Sequence, residues 1–154
     1  MLKFWLYVAV IMAVPELGLA QERMVPAPWM MLTGSDAGAA GTCIENDPEE
    51  GCLIVRCHPR RGLELVLREP TLLEPPPPRL EFRIRSWRST LPFSRVAENE
   101  IVTSLIEQHE LLRRFAGSRE VLVFTKGIEN GFSTGFELTN AGRHIKRIQA
   151  ACRR

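Results

Sequence analysis

Between Gly62 and Leu138 apolar residues recur mainly at every second position, the spacing of strands that turn one face to a core. Leu63, Leu65 and Leu67 oppose Glu64 and Arg68, while Leu80, Phe82 and Ile84 alternate with Glu81, Arg83 and Arg85. Each run predicts a half-buried strand. Cys52–Cys57 is a short, β-branched apolar run that ends at the turn Pro59-Arg60-Arg61-Gly62, and Trp29–Leu32 reads as a first strand. Phe93–Val96 and Ile101–Thr103 are weaker strand candidates. Glu120–Thr125 is apolar on both faces, which predicts a strand in the middle of the structure. After the turn 127–131, Phe132, Thr134, Phe136 and Leu138 return to period two and predict a hairpin with it.

Helical spacing is confined to two segments of the last third. Ser104-Leu-Ile-Glu107 has the spacing of a capping box and predicts a helix that runs to Ala116 and ends at Gly117. Thr139 or Asn140 is placed to cap a last helix whose stripe Ala141, Ile145, Ile148 and Cys152 turns to the core. The expected fold class is therefore α+β: a mostly antiparallel sheet or sandwich with two helices in the C-terminal half. Four consecutive prolines, 75–78, impose an extended crossover at 70–78. Either side of it is too short to bury a core alone, so it is expected to lie within one domain, 29–152.

The first residues have a different pattern. Lys3 precedes the apolar run Phe4–Val14, Pro15-Glu16 ends it, and small Gly18 and Ala20 follow, as in a cleavable signal peptide over 1–20. The run is shorter than the roughly 20 residues that span a bilayer, so no transmembrane anchor is expected after cleavage. A flexible leader, 21–28, would precede the exported domain in the periplasm or outside the cell. The net charge of +2 over 154 residues is too mild to point to nucleic acid.

Export gives the cysteines their meaning. Cys43, Cys52, Cys57 and Cys152 read as two disulfides in an oxidising compartment, with three connectivities open. Turn residues between Cys43 and Cys52 favour a hairpin that sets these two opposite each other, leaving Cys57 to Cys152. Zinc is the competing use, with His58 beside Cys57, but the spacing is not that of a zinc site. No metal and no cofactor are expected, and the acidic segment Glu45–Gly51 lacks the ligand order of a calcium loop.

One cluster is a candidate surface for an anionic partner. If the strand stayed extended to Arg88, the cations Arg83, Arg85 and Arg88 would flank Trp87 near a sheet edge, fit for charge-assisted hydrogen bonds. The competing reading is a solvated face paired with Glu64 and Glu81. Arg143, Lys146, Arg147, Arg153 and Arg154 line the last helix and its end, where they are expected to complement its dipole; contact with an anionic membrane or lipopolysaccharide surface is the competing reading. His58, His109 and His144 are scattered, no His-Glu-x-x-His occurs, and no Ser is assigned to a nucleophile elbow, so no catalytic residue is expected.

The signal peptide, Trp29, Cys43, Cys52 and Cys57, the helix ending at Gly117 before Val121–Phe124, and Phe136-x-Leu138…Ala141…Ile148-x-x-x-Cys152 together resemble the small alphaproteobacterial periplasmic proteins related to invasion-associated locus B. The tetraproline segment and the few glycines around 138–142 depart from that family. The resemblance implies a non-enzymatic, disulfide-bonded, β-rich protein of the envelope or host interface. An inhibitor or binder of a cell-wall enzyme such as lysozyme is the second reading, and a hydrolase with an unseen carboxylate pair the third.

Overall fold

The structure is a computed structural model that describes residues 28–44, 51–68, 79–126 and 133–153. The expected signal peptide, nearly all of the leader, the acidic segment 45–50 and the Pro-rich crossover lie outside these residues. In chain order the elements are β1 (Met30–Met31), a 3-10 turn (Gly34–Asp36), β2 (Ala40–Cys43), β3 (Cys52–His58), β4 (Gly62–Arg68), β5 (Arg79–Ile84) and β6 (Trp87–Pro92). They continue with β7 (Ser94–Ala97), β8 (Glu100–Ser104), α1 (His109–Ala116), β9 (Glu120–Thr125), β10 (Ser133–Glu137) and α2 (Ala141–Cys152). The fold is α+β, with two antiparallel sheets, two α-helices in the C-terminal half and two disulfides among the described residues.

A six-stranded sheet has the order β1-β2-β3-β4-β8-β7, and a four-stranded sheet the order β10-β9-β5-β6. The chain changes sheet at Phe93, a single residue between β6 and β7. Phe93 is buried and stacks on Phe82, their centroids 6.2 Å apart, so an aromatic pair secures the crossing. Pro92 just before it sits on an edge strand, where a missing N–H breaks no ladder.

The period-two leucines work as expected on the inward faces. Leu53, Val55, Leu65 and Leu67 of the large sheet join Leu80, Phe82, Ile84, Val121, Val123 and Phe136 of the small one in a single core. Leu111, Leu112 and Phe115 of α1, with Ala141, Ile145 and Ile148 of α2, complete it. Trp29 packs edge-on to Phe115 at 6.2 Å, and its backbone N–H donates to the Thr139 carbonyl, tying the first strand to the start of α2.

Three local expectations are corrected and a fourth holds in part. β4 is buried on both faces, because Val66 of its outer side packs with Ile54, Val102, Ala39 and Cys52 in a second, smaller cluster. β9 lies inside its sheet, yet only one of its faces is dry: Leu122 points outward and is 40% exposed. Ser104 ends β8 instead of capping a helix; its hydroxyl accepts from the Ile106 N–H at 3.4 Å, and α1 starts only at His109. Asn140 does stand at the N-cap of α2, in a left-handed conformation (φ 70°) and without a side-chain capping bond, while the Thr139 hydroxyl turns to Glu137.

The helices meet where Gly142 of α2 faces Ala116 of α1. A Cβ at Gly142 would stand 2.9 Å from the Ala116 Cβ and 3.1 Å from its Cα. Helix propensity favours alanine over glycine by about 1 kcal/mol, but overpacking costs about 1–3 kcal/mol. The obstructing atoms belong to a backbone and a methyl that cannot rotate away, so overlap decides the sign. Gly142→Ala is expected to lower the urea midpoint; an unchanged or raised midpoint would show that the helices part freely.

Candidate functional site

The cysteines are paired as the hairpin argument expected. Cys43 and Cys52 are register partners on β2 and β3 and form one bridge; Cys57 on β3 and Cys152 at the end of α2 form the other, with Cα atoms 5.4 Å apart. Both sulfurs beside the supposed metal position are thereby committed, and among the described residues no cluster of three or more potential ligands occurs.

The four residues of the expected cationic surface do not lie along one extended strand. The chain reverses at Arg85-Ser86, so that Ile84 pairs with Trp87 and Arg83 with Arg88. Cross-strand partners share a face. Trp87 thus goes inward with Ile84 and packs against the core, while Arg83 and Arg88 stand together on the outer face. Arg85 occupies the turn with φ 55°, a left-handed conformation that no glycine signal announced.

These arginines differ in their surroundings. Arg83 is tied down: its guanidinium bonds to Glu81 and lies 4.3 Å from the centre of the Phe124 ring. Lys126 reaches the same carboxylate at 3.1 Å, and hydrogen bonds from Arg83 first and Lys126 second hold Glu81 below the usual carboxylate range. Arg85 and Arg88 are exposed, and among the described residues neither has an ion-pair partner. The exposed Leu122 and half-buried Phe124 are the register partners of Arg83 and Glu81 on β9. Part of the competing reading therefore holds, since Glu81 neutralises Arg83; Glu64 belongs to the other sheet.

Sequence reasoning missed the densest charged group, on the outer face of the large sheet. Asp36, Arg68, Glu100, Arg56, Glu64 and Arg61 form an unbroken chain of alternating charges. Arg68 grips Asp36 through both terminal nitrogens, at 2.6 and 2.7 Å, and Glu100 at 3.0 Å. Arg56 joins Glu100 at 2.7 Å to Glu64 at 3.2 Å, and Arg61 closes on the other oxygen of Glu64. Glu64 is only 2% exposed and so accepts two guanidiniums in place of water. Its burial pushes the carboxyl up, but hydrogen bonds from Arg61 and Arg56 and their charges outweigh this, and it lies below its ordinary value. Asp36 is also lowered, first by the Arg68 hydrogen bonds against burial, then by the charges of Arg68 and Arg56. Arg68 is correspondingly raised, first by its bond to Asp36.

The histidines lie on three separate elements: His58 ends β3, His109 begins α1, and His144 sits within α2, lowered by burial and then by Arg143 and Arg147. Arg143, Lys146, Arg147 and Arg153 are exposed along and beyond α2; Arg154 lies outside the described residues. Gly131-Phe-Ser-Thr-Gly135 does contain the residue order of a nucleophile elbow, which corrects the expectation that no serine stands in one. Ser133 nevertheless opens β10 opposite Phe124, within an antiparallel pair instead of the strand-to-helix turn that exposes an elbow serine.

No family model, curated protein or solved structure matches this chain. All four cysteines are bridged, which suits an oxidising environment, and among the described residues no helix is long and apolar enough to cross a membrane.

The carboxylate shifts set the acid response. A carboxyl held below its unfolded value contributes stability that is complete above about pH 5 and is lost as pH falls through the folded value. Asp36, Glu64 and Glu81 all act in this direction. Glu64→Gln is expected to cost about 1–3 kcal/mol at neutral pH, because buried hydrogen-bonding groups lose a charged partner, and to flatten the acid limb. Urea unfolding from neutral to acid pH measures both; equal acid limbs in parent and variant would remove Glu64 from the account.

Proposed function

We propose that this chain is a non-catalytic interaction protein, exported to an oxidising compartment, whose β5–β6 hairpin docks on an anionic component of the envelope. The observation that carries the proposal is Arg85. Its left-handed backbone disfavours a residue with a Cβ by about 1–2 kcal/mol, and glycine would adopt it without strain. The chain instead holds an exposed cation at the hairpin tip, with Arg88 beside it on the outer face. Directly opposed like charges such as Arg83 and Arg88 disfavour the sheet unless something offsets them. Glu81 does so for Arg83, and an anionic partner would do so for Arg88.

The carboxylates support binding over hydrolysis. A general acid at neutral pH needs a raised carboxyl, whereas Asp36, Glu64 and Glu81 are ion-paired and lowered. The two disulfides support export, since such bridges persist in oxidising compartments.

Because Arg85 is strained in the fold and useful only outside it, its substitution separates stability from binding. Arg85→Gly is expected to leave the unfolding free energy from urea titration unchanged or to raise it by up to about 1 kcal/mol. Combined with Arg88→Ala it should weaken sedimentation with phosphatidylcholine–phosphatidylglycerol vesicles about thirtyfold, at about 1 kcal/mol per arginine. Parent binding should fall as salt rises, since exposed charges are screened over about 10 Å at 0.1 M. Equal binding by the double variant, or no binding by the parent, contradicts the proposal; lysozyme inhibition by the parent would favour a cell-wall-enzyme inhibitor.

A further inference from the structure

The alternating charges border an open cleft of about 520 Å³ on the outer side of the large sheet, within the size range of small-molecule sites. Ser35, Arg56, His58, Arg61, Val96 and Glu100 are among its lining residues. They come from the 3-10 turn, from β3 and the turn after it, and from β7 and β8. The strands are brought together by sheet pairing, and the Asp36–Arg68 bonds hold the 3-10 turn beside them.

The cleft presents donors over acceptors. The carboxylates of the network lie deeper than these guanidiniums: the Asp36 and Glu100 side chains that line the cleft are 18% and 10% exposed and Glu64 is 2% exposed, against 24% for Arg56 and 48% for Arg61. Glu64 accepts from Arg61 on both oxygens and from Arg56 on Oε2, which holds the two guanidiniums side by side. Arg56 spends Nε and Nη1 on Glu64 and Glu100, and Arg61 spends Nε and Nη2 on Glu64. Arg56 Nη2 and Arg61 Nη1 take no part in these bonds. His58 adds a third donor. Its Nδ1 accepts the backbone N–H groups of Arg60 and Arg61 at 3.2 and 3.3 Å, which assigns the ring proton to Nε2 in the neutral form.

We propose that this cleft is a binding site for a small ligand bearing an oxyanion, a carboxylate or a phosphate, received by Arg56, Arg61 and His58. Guanidiniums pair with such groups through parallel N–H bonds. Because Glu64 and Glu100 already fix Arg56, less side-chain freedom is lost when a ligand arrives. The acidic partners neutralise the arginines in the empty state, so the ligand completes donor sets and does not replace an ion pair. The site is on the other sheet from the β5–β6 hairpin and stands or falls independently of vesicle binding.

Titration of ¹⁵N-labelled protein with glucuronate, with glucose 6-phosphate and with glucose tests it. At least one anion should give saturable shifts in the Arg56 and Arg61 Nε–H signals, the His58 ring and amides of 35–39, while glucose gives none. The stronger anion identifies the preferred head group. Arg61→Gln, at the most exposed of these donors, should weaken that binding by about tenfold or more, the effect of losing a hydrogen bond to a charged group. Arg88→Ala should leave it unchanged. No saturable shift with either anion, equal shifts with glucose or sodium chloride, or undiminished binding by a folded Arg61→Gln variant would overturn the proposal.

Discussion

The bond between Cys57 and Cys152 ties the last element of the chain to the middle of its large sheet, across a sequence separation of 95 residues. Cys57 lies on the inward side of β3, so the bridge draws α2 onto the face where Val55 and Leu65 already form the core floor. The helix stripe Ala141, Ile145 and Ile148 then covers that floor, and α1 packs against α2 through Ala116 and Gly142. A loop of this length removes about 4.7 kcal/mol of denatured-state entropy, against about 2.6 kcal/mol for a bridge that closes a loop like that of Cys43–Cys52. The short bridge instead pins one edge of the sheet, beside the smaller outer cluster of Ile54, Val66 and Val102.

The outer faces of the two sheets use charge in different ways. On the large sheet every carboxylate of the network meets guanidinium, and Arg56 and Arg61 each keep a terminal nitrogen outside these ion pairs. On the small sheet a local clamp, Arg83–Glu81–Lys126, neutralises one part of the face and leaves Arg85 and Arg88 exposed beside it. The first arrangement favours a small oxyanion-bearing molecule held in a cleft; the second favours an extended anionic surface. Both functions are proposals that draw on the same rigid core and on no residue in common.

Much of the fold was legible where periodicity reports burial directly. Leu80, Phe82 and Ile84 are buried as their alternation requires, and the helical spacing of Ala141, Ile145 and Ile148 marks the face that α2 turns inward. The hairpin chemistry between Cys43 and Cys52 also told which cysteines meet. Turn and neighbour information was less accessible. Arg85 takes a left-handed conformation without being Gly or Asn, so the reversal into β6 carried no local signal and the four candidate residues were read as one strand. The charge network was hidden for another reason: Arg68 meets both Asp36 and Glu100 at 32 positions' distance, through strand order that alternation cannot reveal. Val66 was the one visible hint, an apolar residue among Glu64 and Arg68 on the side assigned to solvent.

If α2 closes the core through Cys57, the connectivity of the cysteines in the folded, unreduced protein is the quantity on which the account rests. Peptide mapping by mass spectrometry under non-reducing conditions reads it directly. The account predicts one linked pair of peptides containing Cys57 and Cys152 and another containing Cys43 and Cys52, with no free thiol. A Cys43–Cys57 or Cys52–Cys57 linkage, or free thiols in protein recovered from an oxidising compartment, would contradict it.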